Sequence, residues 1–182
     1  MARVQTFIIA AFTAVFAFAA QAGDFKGTVL LTVTGNVENA TRTGYDADHD
    51  KFFGFNEVEF DQASQFDYDK LTGLPQVTIR ADFPKDGPVH EFSGPLLADV
   101  LRMAGARGQT VTVQALDGYA AEAPLQEMLD QGAVVALSRD GAPLGIGDFG
   151  PTQIVFPRAE RSDLKDMNDD RWGWSIFHIR VE

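Results

Sequence analysis

Residues 27–34 read GTVLLTVT, a β-branched run that stops at Gly35-Asn36, and the pattern predicts an opening strand and a turn. Residues 36–57 are polar, rich in Asp and broken by Gly44 and Gly54, with no sustained period. They are expected to form a long surface loop. Residues 67–71, ahead of Gly73 and Pro75, read as a short helical turn, and residues 76–82 (QVTIRAD) as a strand. Pro84, Gly87 and Pro88 mark a turn before a short strand at residues 90–92. Ser93-Gly94-Pro95 leads into Leu96, Leu97, Val100, Leu101 and Ala104, apolar positions at helical spacing, and Gly105 closes that helix. Residues 110–116 and 120–123 flank Asp117-Gly118, the pattern of a hairpin. A short helix at residues 125–129 follows Pro124. Strands at residues 134–138 and 154–156 flank a Gly/Pro-rich loop at residues 140–151, and a last strand runs over residues 174–181. There is no internal repeat and no dividing linker. The expected class is α+β, a largely β body with one clear helix and short helical turns.

The first residues fall outside this pattern. Arg3 precedes an apolar run at residues 7–19, and Ala20-Gln21-Ala22 follows with small residues at a cleavage spacing. Residues 1–22 are expected to be a secretory signal peptide, because a run of about 13 residues is short of the roughly 20 that span a bilayer. Residues 23–182 would then form a single domain in the periplasm, with no direct membrane insertion after cleavage. Composition narrows the chemistry. Of 182 residues 45% are hydrophobic and 23% charged, enough apolar content for a core. Lys plus Arg is 15 against 26 for Asp plus Glu, a formal net charge of −11, which argues against nucleic acid or an anionic membrane surface as partner. There is no cysteine, so disulfides, thiolate metal sites and cysteine nucleophiles are excluded.

Four blocks in order carry a resemblance: FSGPLLADVLRMAG (residues 92–105), ALDGYAAEAPL (115–125), DGAPLGIGDFGPTQIVFP (140–157) and RWGWSIFHIRV (171–181). Together with LLTVTGNV (30–37) they resemble small secreted proteins with the sulfite-oxidase, molybdopterin-binding-domain fold. The acidic segment at residues 38–57 stands as an insertion. In enzymes of this family a cysteine thiolate holds molybdenum beside the pterin dithiolene. The absence of cysteine therefore points away from a molybdenum oxidoreductase, which remains the alternative reading. The family's cysteine-less periplasmic members resemble binding proteins, some holding a reduced pterin and reporting it to a membrane-bound cyclic-di-GMP enzyme. The resemblance thus implies a non-catalytic binding protein for a pterin-like flat heterocycle, without molybdenum, that signals to a membrane partner. A ligand-free protein-protein interaction module is a further alternative. One departure stands out: the family loop often reads G-P-x-W, and here Gln153 takes the last position after Gly150-Pro151-Thr152.

A pterin is a flat bicycle with an amino-pyrimidinone edge, so its site calls for an aromatic face and an acceptor opposite that edge. Trp172 and Trp174 are two apart at the start of the last strand and would share one face if that strand is regular; an ordinary core pair is the competing reading. Arg171 beside them strengthens a site. Tyr119 follows the Asp117-Gly118 turn and either overhangs a pocket or packs on its own sheet, while Asp117 either faces a ligand or serves the turn. Arg80, near where the enzymes carry their metal-binding cysteine, either meets a ligand oxygen or pairs at the surface. Arg158 opens the mixed-charge run at residues 158–171, a solvated loop or a docking surface. Asp46, Asp48, Asp50 and Glu57 sit at the spacing of a calcium loop, but Lys51 replaces its turn glycine, and an acidic surface loop is the better account. His49, His90 and His178 are scattered and suggest no zinc site or catalytic triad.

Overall fold

The structure, a computed structural model, describes residues 24–83 and 87–182. The expected signal peptide and the tip of the turn at residues 84–86 lie outside the described residues. In chain order the elements are β1 (Val29–Gly35), β2 (Arg42–Thr43), α1 (Lys51–Phe55), β3 (Gln62–Asp67), α2 (Tyr68–Thr72), β4 (Gln76–Asp82), β5 (Val89–Pro95) and α3 (Leu97–Ala104). They continue with β6 (Thr110–Ala115), β7 (Ala120–Pro124), α4 (Leu125–Asp130), β8 (Val134–Ala136), β9 (Ser138–Arg139), β10 (Ala142–Pro143), β11 (Gln153–Val155), a 3₁₀ turn at Ser162–Leu164 and β12 (Ile176–Val181). Among the described residues no helix is long and apolar enough to cross a membrane.

The strands form a six-stranded sheet in the order β2-β3-β1-β12-β6-β7, a four-stranded sheet β10-β9-β5-β4, and the pair β11-β8. In the large sheet β1 and β12, the first and last strands, run parallel, with Thr32 opposite His178 and Val33 opposite Ile179; the other neighbours are antiparallel. Alternation along these strands decides the layers. Leu31, Val33, Phe66, Val111, Val113, Ile179 and Val181 face one way, into a core shared with α3, β5, β8 and β11. The buried face of α3 is Leu97, Val100, Leu101 and Ala104. No side chain caps its start; the Leu97 N–H donates to the Ala133 carbonyl at 2.8 Å, so a neighbouring strand end supplies the acceptor.

The opposite face of the large sheet carries Thr32, Thr34, Gln65 and His178, all buried. What covers it is the segment expected to be only a surface loop. Within residues 36–60 lie β2 and the one-turn helix α1, whose Phe52 and Phe53 rings meet Phe177 with centroids 4.8 and 5.9 Å apart. Gln114 Nε2 donates to the Asn56 carbonyl at 3.0 Å, and the Arg42 guanidinium lies 5.1 Å from the Phe60 ring. The aromatic residues, not the acids, settle this segment on the sheet.

The last strand begins later than its pattern suggests. Ser175 has φ 54, which breaks the extended run, so Trp172 and Trp174 lie in the turn before β12 and do not alternate on its face.

Candidate functional site

A cavity of about 340 Å³ opens where the β6–β7 hairpin, the end of β4 and the turn before β12 meet. Its aromatic walls are Phe83, Tyr119, Trp172 and Trp174, and Asp117, Asp169 and Asp170 bring carboxylates to the same space.

The hairpin places Tyr119. Gly118 adopts φ 88, a conformation that favours glycine, and the Asp117 carboxylate accepts the Tyr119 N–H at 3.0 Å, which tightens the turn. The ring is left half exposed at the rim, and its hydroxyl donates to the Asp170 carbonyl at 3.0 Å, tying the hairpin to the opposite turn. That opposite turn is held by Asn168, whose side chain bonds both the backbone N–H and the carboxylate of Asp170.

The two tryptophans take different roles. Trp172 is 3% exposed, with its indole N–H directed at Met167 Sδ at 3.3 Å, and it packs between Phe83 and Phe156. Trp174 is 40% exposed and lies nearly parallel to Phe83, with centroids 6.0 Å apart and 22° between planes. Phe149 flanks it at 5.6 Å. Trp172 is thus the floor and Trp174 the open face against which a planar ring can stack.

Of the residues singled out in the sequence, Asp117, Tyr119, Trp172 and Trp174 come together here and three arginines do not. Arg80 projects from β4 into solvent, its backbone N–H bonded to Glu160 Oε1 at 2.9 Å. Arg158 donates from Nε and Nη2 to the Lys165 carbonyl, at 3.1 and 2.8 Å, and its Nη1 forms an ion pair with Asp82 Oδ2 3.0 Å away, clamping the loop after β11 to the end of β4. Arg171 points to α4, with Nη1 2.7 Å from Glu127 Oε1, and that hydrogen bond holds the Glu127 carboxyl below its usual range. Phe83 and Asp170, which complete the cavity, carry no local signal: one ends a strand, and the other is one acid among several in a charged run.

The acidic segment is spent on its own turn. Asp46 accepts the Asp48 and His49 backbone N–H groups and faces the His49 ring at 3.0 Å, and Asp50 pairs with Arg42 and accepts the Asp46 N–H. The Asp48 N–H bond, ahead of the His49 contact, lowers the Asp46 carboxyl from its ordinary value. Among the described residues no three His, Asp or Glu side chains converge as ion ligands. His178 lies buried under α1, its ring nitrogens 2.7 Å from Thr34 Oγ1 and 3.1 Å from Gln114 Oε1.

A second cavity, of about 250 Å³, shares Phe83 and Trp172 with the first and reaches Gln153.

Residues 55–160 match the family described as the oxidoreductase molybdopterin binding domain. No curated protein matches the chain significantly in sequence. Among solved structures the chain is similar to the sulfane dehydrogenase SoxCD from Paracoccus pantotrophus, with a TM-score of 0.60 and 15% sequence identity. The match covers 84% of this chain but 38% of that one, so the chain spans well under half the length of its structural relative. A likeness at this identity is a likeness of fold.

Proposed function

From the premise that the chain belongs to the oxidoreductase molybdopterin binding domain family, we propose that it is a binding protein for a flat, uncharged heterocycle of the pterin kind. The observation that carries this reading is the cavity itself, in which Trp174 and Phe83 offer parallel ring faces and the Asp117 and Asp170 carboxylates lie at its edge. Stacking holds the bicycle, and a carboxylate accepts from the amino-pyrimidinone N–H groups, much as it would from a guanidinium.

The metal-bearing cofactor of the family's oxidoreductases fits these residues poorly. It carries a phosphate and asks for a thiolate, whereas the chain has no cysteine and the described lining of the cavity has three carboxylates and no cation. A phosphate there would meet like charge. What these residues suit is the bare ring system.

Binding is tested with full-chain protein and a reduced pterin, followed by fluorescence. Binding at one site per chain is the expected result, and Trp174→Ala should weaken it by roughly tenfold or more, the loss of about 1–3 kcal/mol of stacking. Because Trp174 is partly exposed, the variant should keep the melting temperature of the parent within a few degrees. Unchanged affinity in that variant sinks the site assignment.

In this reading the protein acts in the periplasm and passes its occupancy to a membrane-bound signalling protein of the cyclic-di-GMP system. The leader pattern and the family resemblance support that setting. A mature N-terminus at Gly23 in a periplasmic extract is expected; cytoplasmic, uncleaved protein would overturn it.

A further inference from the structure

Gln153 opens β11, a three-residue strand buried along its whole length, and is itself 3% exposed. Its side-chain oxygen has no hydrogen-bond partner among the described residues. It lines the second cavity, whose other walls include Phe92, Phe149 and Trp172. The two basic groups there are already answered: Arg139 lies 3.5 Å from the Asp148 carboxylate and over the Phe149 ring at 4.8 Å, and His90 Nδ1 lies 2.6 Å from Asp140. A further anion is therefore not what the cavity lacks. Its one unmet requirement is a neutral donor for a buried acceptor, presented on something otherwise apolar.

We infer that this cavity is a side-chain subsite in which Gln153 Oε1 accepts a hydrogen bond from a hydroxyl on a short aliphatic substituent of the bound heterocycle. The inference rests on the pterin reading of the neighbouring cavity. Phe83 and Trp172 line both spaces, so the two cavities adjoin, and a substituent on a ring against Trp174 would have to pass the Phe83 ring to meet Gln153. Gln153 is then a specificity residue: it selects hydroxyalkyl pterins over alkyl ones.

The test compares two probes on full-chain protein by anaerobic titration, both in the reduced tetrahydro form: 6-methylpterin, and biopterin, which carries a dihydroxypropyl chain at the same position. The parent should bind biopterin about tenfold more tightly, the effect of one buried neutral hydrogen bond. Gln153→Met should erase that preference while leaving the affinity for 6-methylpterin within about twofold. The same variant, without ligand, should melt at the parent temperature or above it, because it removes an acceptor that has no partner. Equal affinities in the parent, as an ordered water on Gln153 would give, overturn the subsite and leave the pterin reading standing. A lowered melting temperature in Gln153→Met also overturns it, since Gln153 would then serve the fold. If neither probe binds, the pterin reading and the subsite fall together.

Discussion

His178 shows how one buried side chain sets a response of the protein. Burial, and to a smaller degree the Arg180 guanidinium, lowers its pKa from 6.5 to about 4, so the folded protein holds a neutral ring between Thr34 and Gln114. Above pH 6.5 neither state binds the proton; below it the unfolded chain takes a proton that the folded one refuses. Stability should therefore fall as pH drops from 6.5 to about 4, by about 3 kcal/mol in all. Urea unfolding at pH 7, 5 and 4 checks this, and His178→Gln should flatten that part of the profile; an unchanged slope would assign it to other groups. The sequence shows only a histidine between apolar residues, since its partners on β1 and β6 are distant in the chain. Arg171 illustrates the same limit. It adjoins Trp172 in sequence, yet its guanidinium turns to Glu127 on α4, because the two residues lie in a turn where nothing in the sequence sets the direction of either side chain.

At the scale of elements, legibility follows period. The spacing of Leu97, Val100, Leu101 and Ala104 marks α3, and the residues of β4 can be read directly from the run QVTIRAD. Two-residue strands such as β9 and β10 have no period to read; β9 emerges only from pairing with β5, and β10 from pairing with β9. The segment that folds over the large sheet escapes such a reading for a related reason: its aromatic residues are interspersed with acids, and the Thr, Gln and His face they cover is not apolar in sequence. Close packing gives a sharper test. A Cβ on Gly94 of β5 would stand 2.0 Å from the Val135 carbonyl oxygen of β8, with no flexible side chain to yield. Gly94→Ala should cost about 2–3 kcal/mol in urea unfolding as β5 and β8 are forced apart. A cost below about 0.5 kcal/mol would show that the strands are free to separate.

Across the whole molecule, the order of motifs along the chain makes the fold readable, whereas the site is readable only in part. Tyr119 is marked in the sequence by the Asp117-Gly118 turn before it, and Trp174 by standing two positions from Trp172. Phe83 joins them only because β4 ends where the β6–β7 hairpin and the turn before β12 converge. That convergence depends on β12, which lies between β1 and β6 and, among the described residues, is the strand that joins β2-β3-β1 and β6-β7 into one sheet. Deleting residues 176–182 should leave two ribbons and no cooperative thermal transition by circular dichroism; a sharp melt would disprove that dependence. The parallel pairing of β1 with β12 has a consequence for the pace of folding. Thr34 and His178, bonded across that ladder, stand 144 positions apart in the chain, so the centre of the sheet closes only after a long loop has been gathered. The ring-walled cavity, which depends on that closure, is therefore a late product of folding.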